Sequence, residues 1–126
     1  MKYYIAGLAL LVSGQVMADA MPAQAYPSCD IQAQRDVKGE TGGSIADPLQ
    51  AHISWRINVL QADISTARKA RRLTQAQADR LWQHASQIRG DAAHYVKQQG
   101  FLSAAERASF DRALDQLASQ LCSKVA

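Results

Sequence analysis

This chain of 126 residues has few aromatic side chains, few long apolar runs and no large excess of either positive or negative charge. Beyond its first segment, no apolar run approaches the roughly 18 to 20 residues of a membrane helix, so we expect no transmembrane segment in the mature chain. Basic and acidic side chains number 14 and 11. This near balance argues against nucleic acid as a partner, because proteins that bind it concentrate a large basic excess on one face.

Sequence motifs that indicate catalysis are also missing. No Ser-His-Asp arrangement, paired-carboxylate motif or glycine-rich phosphate loop can be placed on the sequence pattern. We therefore expect a protein that is not an enzyme and that needs no cofactor.

The first segment has the layout of a secretory signal peptide. Lys2 supplies a positive charge, residues 3–12 are apolar but too few to span a bilayer, and small residues surround Ala18. We expect residues 1–18 to be removed, with cleavage after Ala20 as the alternative. The mature chain then functions in an oxidising compartment.

Only two cysteines are present, Cys29 and Cys122. In an exported chain such a pair predicts a disulfide, and no CxxC spacing or other feature of a reactive thiolate accompanies it. The predicted bond has a structural role and joins the start of the mature chain to its end.

The mature chain divides into an irregular N-terminal arm, residues 19–46, and a helical part, residues 47–126. Prolines and glycines interrupt the arm, and only residues 29–37 have a pattern that permits a short helix. In the helical part apolar residues recur at spacings of three and four, which predicts amphipathic helices. The predicted helices span about 48–71, 75–99 and 104–122.

Local sequence predicts where these helices begin and end. Asp47, Thr74 and Ser103 are N-cap residues, each with Gln or Glu three positions later, and Gly100 is a left-handed C-cap. Both links are short, so successive helices are antiparallel neighbours. The sequence therefore predicts an all-α fold, a three-helix up-down-up bundle with an arm joined to the C-terminus by a disulfide.

The predicted disulfide also determines the path of the arm. Because the first and third helices run parallel, Cys122 lies at the far end of the first helix, whereas the arm enters that helix at Asp47. The arm must therefore run back along the bundle, and about 3.3 Å of extended chain per residue is enough for that distance.

Trp55 lies opposite the predicted core side of the first helix, in a second apolar stripe with Ala51, Val59 and Ala62. Two interpretations follow. In one, the arm covers the stripe through Ile31, Val37 and Ile45. In the other, Trp55 is an exposed anchor for a protein partner, since Trp is enriched at binding hot spots. Trp82, beside the core side of the second helix, is expected in the core.

One cluster of cations ends the first predicted helix: Arg68, Lys69, Arg71 and Arg72. These residues either complement the helix dipole or bind an anionic partner. The third helix carries the opposite charge in Glu106, Asp111 and Asp115, so self-association of the bundle is a further alternative.

Metal binding is considered only as an alternative, through His84, Asp91 and His94. Asp91 and His94 share a helix face, but no further ligand is indicated. The segment 100–106 also resembles the second half of an EF-hand loop. The first half lacks acidic ligands, with Tyr95, Lys97 and Gln99 at those positions, so paired helix caps are the favoured interpretation.

The second and third helices begin with LTxxQ and GFLSAAER, and the latter contains G-x-L-S-x-x-E-R. With the signal peptide and arm, this layout resembles small exported helical proteins of Gram-negative bacteria, a group that shares no assigned activity. The resemblance implies a periplasmic location, with secretion as the alternative.

Our first functional hypothesis is a periplasmic binding or inhibitor protein that covers the surface of another protein. An immunity protein against a cell-wall-degrading effector is a concrete example. Trp55 and the cluster Arg68, Lys69, Arg71 and Arg72 are its candidate contact residues. The alternative hypothesis is an envelope-stress or metal-associated protein.

Overall fold

A computed structural model describes residues 26–126, so the predicted signal peptide and its cleavage site lie outside the described residues. Within that range the fold is all-α, with one isolated bridge between Gly42 and Ile45 and no named strand. A 3₁₀ turn and four helices follow one another along the chain. They are the turn Pro27–Cys29, α1 Ile31–Asp36, α2 Pro48–Lys69, α3 Gln75–Gln99 and α4 Ala104–Val125.

The helices start at the predicted caps. The Asp47 carboxylate accepts the backbone N–H of Gln50 at 2.8 Å. Thr74 and Ser103 each open a reciprocal capping box, with Gln77 and Glu106 as the returning side chains. These contacts satisfy backbone N–H groups that have no partner inside a helix, which is why such sequences begin helices.

The two long helices that precede α4 each end next to a residue with a left-handed backbone conformation. Gly100 ends α3 with φ 88°, as the sequence predicts. The helix α2 ends at Lys69, earlier than the predicted position 71, because Arg71 itself adopts φ 58°. The N–H of Arg72 then reaches back to the carbonyl of Ala67 at 2.9 Å, which closes the helix end.

The core lies where α2, α3 and α4 face one another. Its fully buried large side chains are Ile53, Ile57, Ile64, Leu114 and Leu121. Helix directions follow from polar contacts between the helices. Gln61 reaches Ser86 while Asn58 reaches Arg89, so α2 and α3 are antiparallel. The predicted three-helix bundle is therefore confirmed.

The arm begins at the C-terminal end of α4, where Cys29 is bonded to Cys122 with their Cα atoms 5.8 Å apart. Close by, the Ser28 N–H donates to the buried Asp63 carboxylate at 2.8 Å. The chain then runs alongside α4 as the short helix α1. It reaches the start of α2 at Gly39, where any Cβ would lie 2.0 Å from the Ala51 carbonyl oxygen. The arm thus runs back along the bundle, as the disulfide prediction requires.

None of the helices within residues 26–126 is both long and apolar enough to cross a membrane.

Candidate functional site

Trp55 is exposed, with 44% of its surface accessible to solvent. The expectation that the arm covers the second apolar stripe is wrong for most of the stripe, since Ala62 is also exposed and Val59 is only half-buried. Only Ala51, at the start of α2, is covered, because Gly39 packs on its backbone.

The first part of the arm leaves Trp55 uncovered because polar contacts hold it against α4, whereas Ser44 and Ile45 at the end of the arm lie beside Ser54 of α2 and Arg89 of α3. Arg35 of the arm donates to the Asp115 carboxylate, and Arg107 of α4 donates to the Arg35 carbonyl oxygen at 2.7 Å. The Val37 carbonyl oxygen lies 2.6 Å from Nδ1 of His52. These partners stand on the α4-facing side of the bundle, away from the stripe.

The four cations Arg68, Lys69, Arg71 and Arg72 surround the end of α2. Arg68 is half-buried and the other three are exposed. Across residues 26–126, none of the four forms an ion pair with a carboxylate. Their charges therefore remain available to a partner.

Trp82 lies beside this cluster rather than in the core. It is 44% exposed, and the prediction of a core position is wrong. The adjacent core positions of α3 hold the small residues Ala78 and Ala85, so α2 and α3 approach too closely to enclose an indole ring there.

Trp82 and Arg68 line the same cleft between α2 and α3, an opening of about 280 Å³ that also includes Ile64 and Ala78. An aromatic face, a guanidinium group and apolar side chains therefore meet at one place, beside the Asp79 carboxylate, which accepts a hydrogen bond from the Gln75 amide at 2.8 Å. Sequence reasoning missed this pairing because it depends on how α2 and α3 align.

The structure does not bring Trp55 into that cleft. Trp55 precedes Ile64 by nine positions, which is about 14 Å along a helix axis at 1.5 Å per residue. Arg89 occupies the intervening part of the α2–α3 interface, where it donates to Asn58 at 2.7 Å and to Gln61 at 3.2 Å. Partial burial lowers the pKa of Arg89.

We use the term α2–α3 surface for Arg68, Trp82 and the exposed cations that follow Arg68, and Trp55 lies outside it on the outward side of α2. Both indole rings stand on helices that the core and the Arg89 contacts hold in place. A flat aromatic side chain on a rigid support loses little conformational freedom when a partner covers it, which favours binding.

The acidic face predicted on the last helix is not a free surface, and this expectation is wrong for two of its three members. Asp111 is buried and Asp115 is half-buried. Arg56 of α2 holds both, donating at 2.8 Å to one oxygen of each carboxylate. A charged group inside the bundle needs such partners, because burying it without a partner costs on the order of several kcal/mol of free energy.

Around Asp111 the network continues through His52 and Arg107. Nε2 of His52 lies 2.7 Å from Oδ1 of Asp111, and Nε of Arg107 lies 3.3 Å from Oδ2. Burial acts to raise the pKa of Asp111, but hydrogen bonds from His52 and Arg56 outweigh it and leave the pKa below its usual value. The network joins the arm, α2 and α4.

The alternative metal ligands do not converge. His84 lines one cavity with Arg80 and Lys124, whereas Asp91 and His94 line another nearer Glu106. In the described range 26–126, no three His, Cys, Asp or Glu side chains stand close enough together to hold an ion.

The segment resembling an EF-hand forms two helix caps. Gly100 donates its N–H to the Val96 carbonyl, and Ser103 accepts the N–H of Glu106 at 3.1 Å. The Glu106 carboxylate is occupied by the Gln99 amide, which donates to it at 2.6 and 2.8 Å. Cap geometry therefore accounts for the Gly, Ser and Glu spacing.

Comparison with known proteins gives no family model, no curated protein and no solved structure that matches this chain.

Proposed function

We propose that this chain is an exported, non-catalytic protein that binds another protein in the periplasm and acts by covering part of its surface. An inhibitor is the simplest form of this function, and an immunity protein against a cell-wall-degrading effector is one example. The predicted signal peptide and the Cys29–Cys122 bond both support export, because disulfides persist in oxidising compartments.

The observation that carries the proposal is the shared cleft of Trp82 and Arg68. Trp and Arg are the residue types most enriched at energetic hot spots of protein interfaces. Here the indole ring is 44% exposed and the guanidinium group is free of carboxylate partners within residues 26–126. A partner that covers both side chains buries apolar surface and forms an ion pair, and no existing ion pair has to break.

The charges near the cleft define the expected partner. Lys69, Arg71 and Arg72 are exposed beside Arg68, so four positive charges stand at one end of the molecule. Opposite charge across an interface raises the association rate and selects against wrong partners. We therefore expect the partner to present an acidic patch around a pocket or groove that accepts an indole ring.

The cross-linked bundle supports this role by holding the surface in place. The disulfide closes a loop between residues 93 positions apart, and such cross-links limit the freedom of the unfolded chain. A surface that is ordered before binding loses less entropy when a partner docks. Rigid inhibitors use this advantage.

Affinity capture tests the proposal. The oxidised mature protein is immobilised and exposed to envelope and secreted extracts from the source bacterium and its competitors, and bound proteins are identified by mass spectrometry. We expect one stoichiometric partner with the wild type and with Phe101→Ala, an exposed aromatic outside the α2–α3 surface.

The double variant Arg68→Glu, Trp82→Ala should lose this partner while keeping its helical circular dichroism and melting temperature. Trp55→Ala should weaken capture to a lesser degree, because Trp55 stands apart from the cleft. Equal capture by the wild type and the double variant would reject the α2–α3 surface, and capture of nothing specific would reject the function.

A further inference from the structure

A second surface lies on the other side of α3, in the groove between α3 and α4. At one end of this groove the ring of Tyr95 stands edge-on to Phe110, with centroids 5.9 Å apart. Asp91 and Glu106 line the same end. Hydrogen bonds from Gln99 and Ser103 lower the pKa of Glu106, so this end is aromatic and carries two negative charges.

The other end of the groove has the opposite charge. Arg80 and Lys124 line it together with His84, over a floor that contains Leu73 and Leu81. Across residues 26–126, neither Arg80 nor Lys124 forms an ion pair, and the same holds for Asp91 and Glu106. Arg80 and Asp91 are separated by about 16 Å along α3, at 1.5 Å per residue.

We propose that the α3–α4 groove is the contact surface for a second copy of this chain in a two-fold symmetric dimer. A two-fold axis that lies in the contact plane and crosses the groove at a right angle at its middle, near Ile88, reverses the groove end for end. The basic end of each copy then faces the acidic end of the other. Isologous dimers require this kind of self-complementary patch, and the groove has it.

The helix directions identify the facing pairs. Rotation about this axis places α3 of one copy antiparallel against α3 of the second, and α4 against α4. Arg80 then faces Asp91 of the second copy, and Lys124 faces Glu106 of the second copy. Each pair occurs twice by symmetry, so two unlike sets of charges in one chain give four matched contacts.

Apolar side chains along the groove supply the burial that charge alone does not. Tyr95 is 42% exposed, and Ile88 and Phe110 are half-buried. An aromatic or aliphatic cover removes their surface from water, which is the main favourable contribution in most protein association. Charge then sets the orientation and the partner.

Analytical ultracentrifugation of the oxidised protein tests the dimer. We expect a concentration-dependent monomer–dimer equilibrium whose dissociation constant rises with salt, as exposed charge pairs are screened. Asp91→Lys alone and Arg80→Glu alone each place like charges across both symmetric contacts. Each should raise the dissociation constant by about tenfold or more. Arg112→Glu, an exposed charge reversal on α4 outside the groove, should leave it unchanged.

Mixing the two single variants is the decisive step. In the mixed dimer, both contacts between positions 80 and 91 are again of opposite charge, so an equimolar mixture should dimerise as well as the wild type. The double variant Arg80→Glu, Asp91→Lys should also regain the dimer. A wild type that stays monomeric at millimolar concentration, or a mixture that fails to recover, would overturn the proposal.

This inference is independent of the proposed function, because its residues are separate from Trp55, Trp82 and the Arg68 cluster. A dimer that persists in Arg68→Glu, Trp82→Ala therefore supports the groove contact even when partner capture fails. Circular dichroism of every variant shows that a lost dimer reflects the groove and not a loss of folding.

Discussion

Arg56 of α2 donates from Nη1 to Oδ1 of Asp111 on α4 across 2.8 Å, and their side chains are 3% and 10% exposed. The same guanidinium group holds Asp115, which Arg35 of the arm contacts from the other side. One buried cation thus connects two helices and, through Asp115, the N-terminal arm. This arrangement holds the first part of the arm against α4, away from the α2–α3 surface.

Replacing Arg56 by Met should cost about 3 kcal/mol of unfolding free energy, because two carboxylates lose their buried partner while the side-chain volume is largely kept. Arg112→Met is the control, since Arg112 is exposed, and should change stability by less than about 0.5 kcal/mol. Urea unfolding of both variants makes the comparison. Equal losses would show that the buried ion pairs contribute nothing.

Asp111 should make the protein less stable in acid. Its pKa is lower in the folded chain than its ordinary value of 3.8, so the unfolded chain binds the extra proton. The stabilisation is therefore fully present above that ordinary value and is lost as the pH falls through the lower folded-state pKa. Unfolding free energies between about pH 2 and pH 6 should fall steeply in acid for the wild type.

In Asp111→Asn this acid dependence should be weaker, because the titrating group is gone. Asp91→Asn removes an exposed carboxylate that has no ion pair among residues 26–126 and should keep the wild-type slope. A wild-type slope in Asp111→Asn would assign the acid sensitivity to another group.

Gly39 should not tolerate a side chain. A Cβ there would lie 2.0 Å from the Ala51 carbonyl oxygen and 2.7 Å from the His52 nitrogen, both backbone atoms that cannot move aside easily. We expect Gly39→Ala to cost about 2 kcal/mol or more. Gly42→Ala, where a Cβ meets nothing within 4 Å, should cost far less, and similar melting temperatures would contradict the close packing of arm and helix.

Arg71 should be replaceable by glycine with a gain in stability. It adopts φ 58° at the end of α2, a conformation that costs a residue with a Cβ about 1 kcal/mol. Arg71→Gly should therefore stabilise by up to about 1 kcal/mol. Arg72→Gly removes the same charge at a residue without positive φ and should not stabilise, so a gain in both variants would point to charge instead of backbone.

Local chemistry made the fold predictable. The caps at Asp47, Thr74 and Ser103 act over three residues, and Gly100 requires only its own left-handed conformation. The pairing of Cys29 with Cys122 followed from their number, and it fixed the return path of the arm. Each of these inferences needs no knowledge of how one helix aligns with another.

The candidate site was less predictable, because it depends on that alignment. Asp111 resembles a surface residue in sequence, and only the level at which α2 meets α4 places His52 and Arg56 against it. Trp82 was expected in the core since it neighbours Leu81, yet the small residues around it bring α2 too close. The spacing of three and four identifies the side of a helix that faces the core. It does not show whether a bulky side chain at the edge of that side has room between two helices.

The affinity of the captured partner for single variants tests the central claim most directly. Isothermal titration calorimetry should give one partner per chain, and Trp82→Ala should weaken binding by about tenfold to thirtyfold, as loss of a hot-spot aromatic does. Phe101→Ala should bind like the wild type. Wild-type affinity in Trp82→Ala and in Arg68→Glu would contradict the account and place the binding surface elsewhere on the bundle.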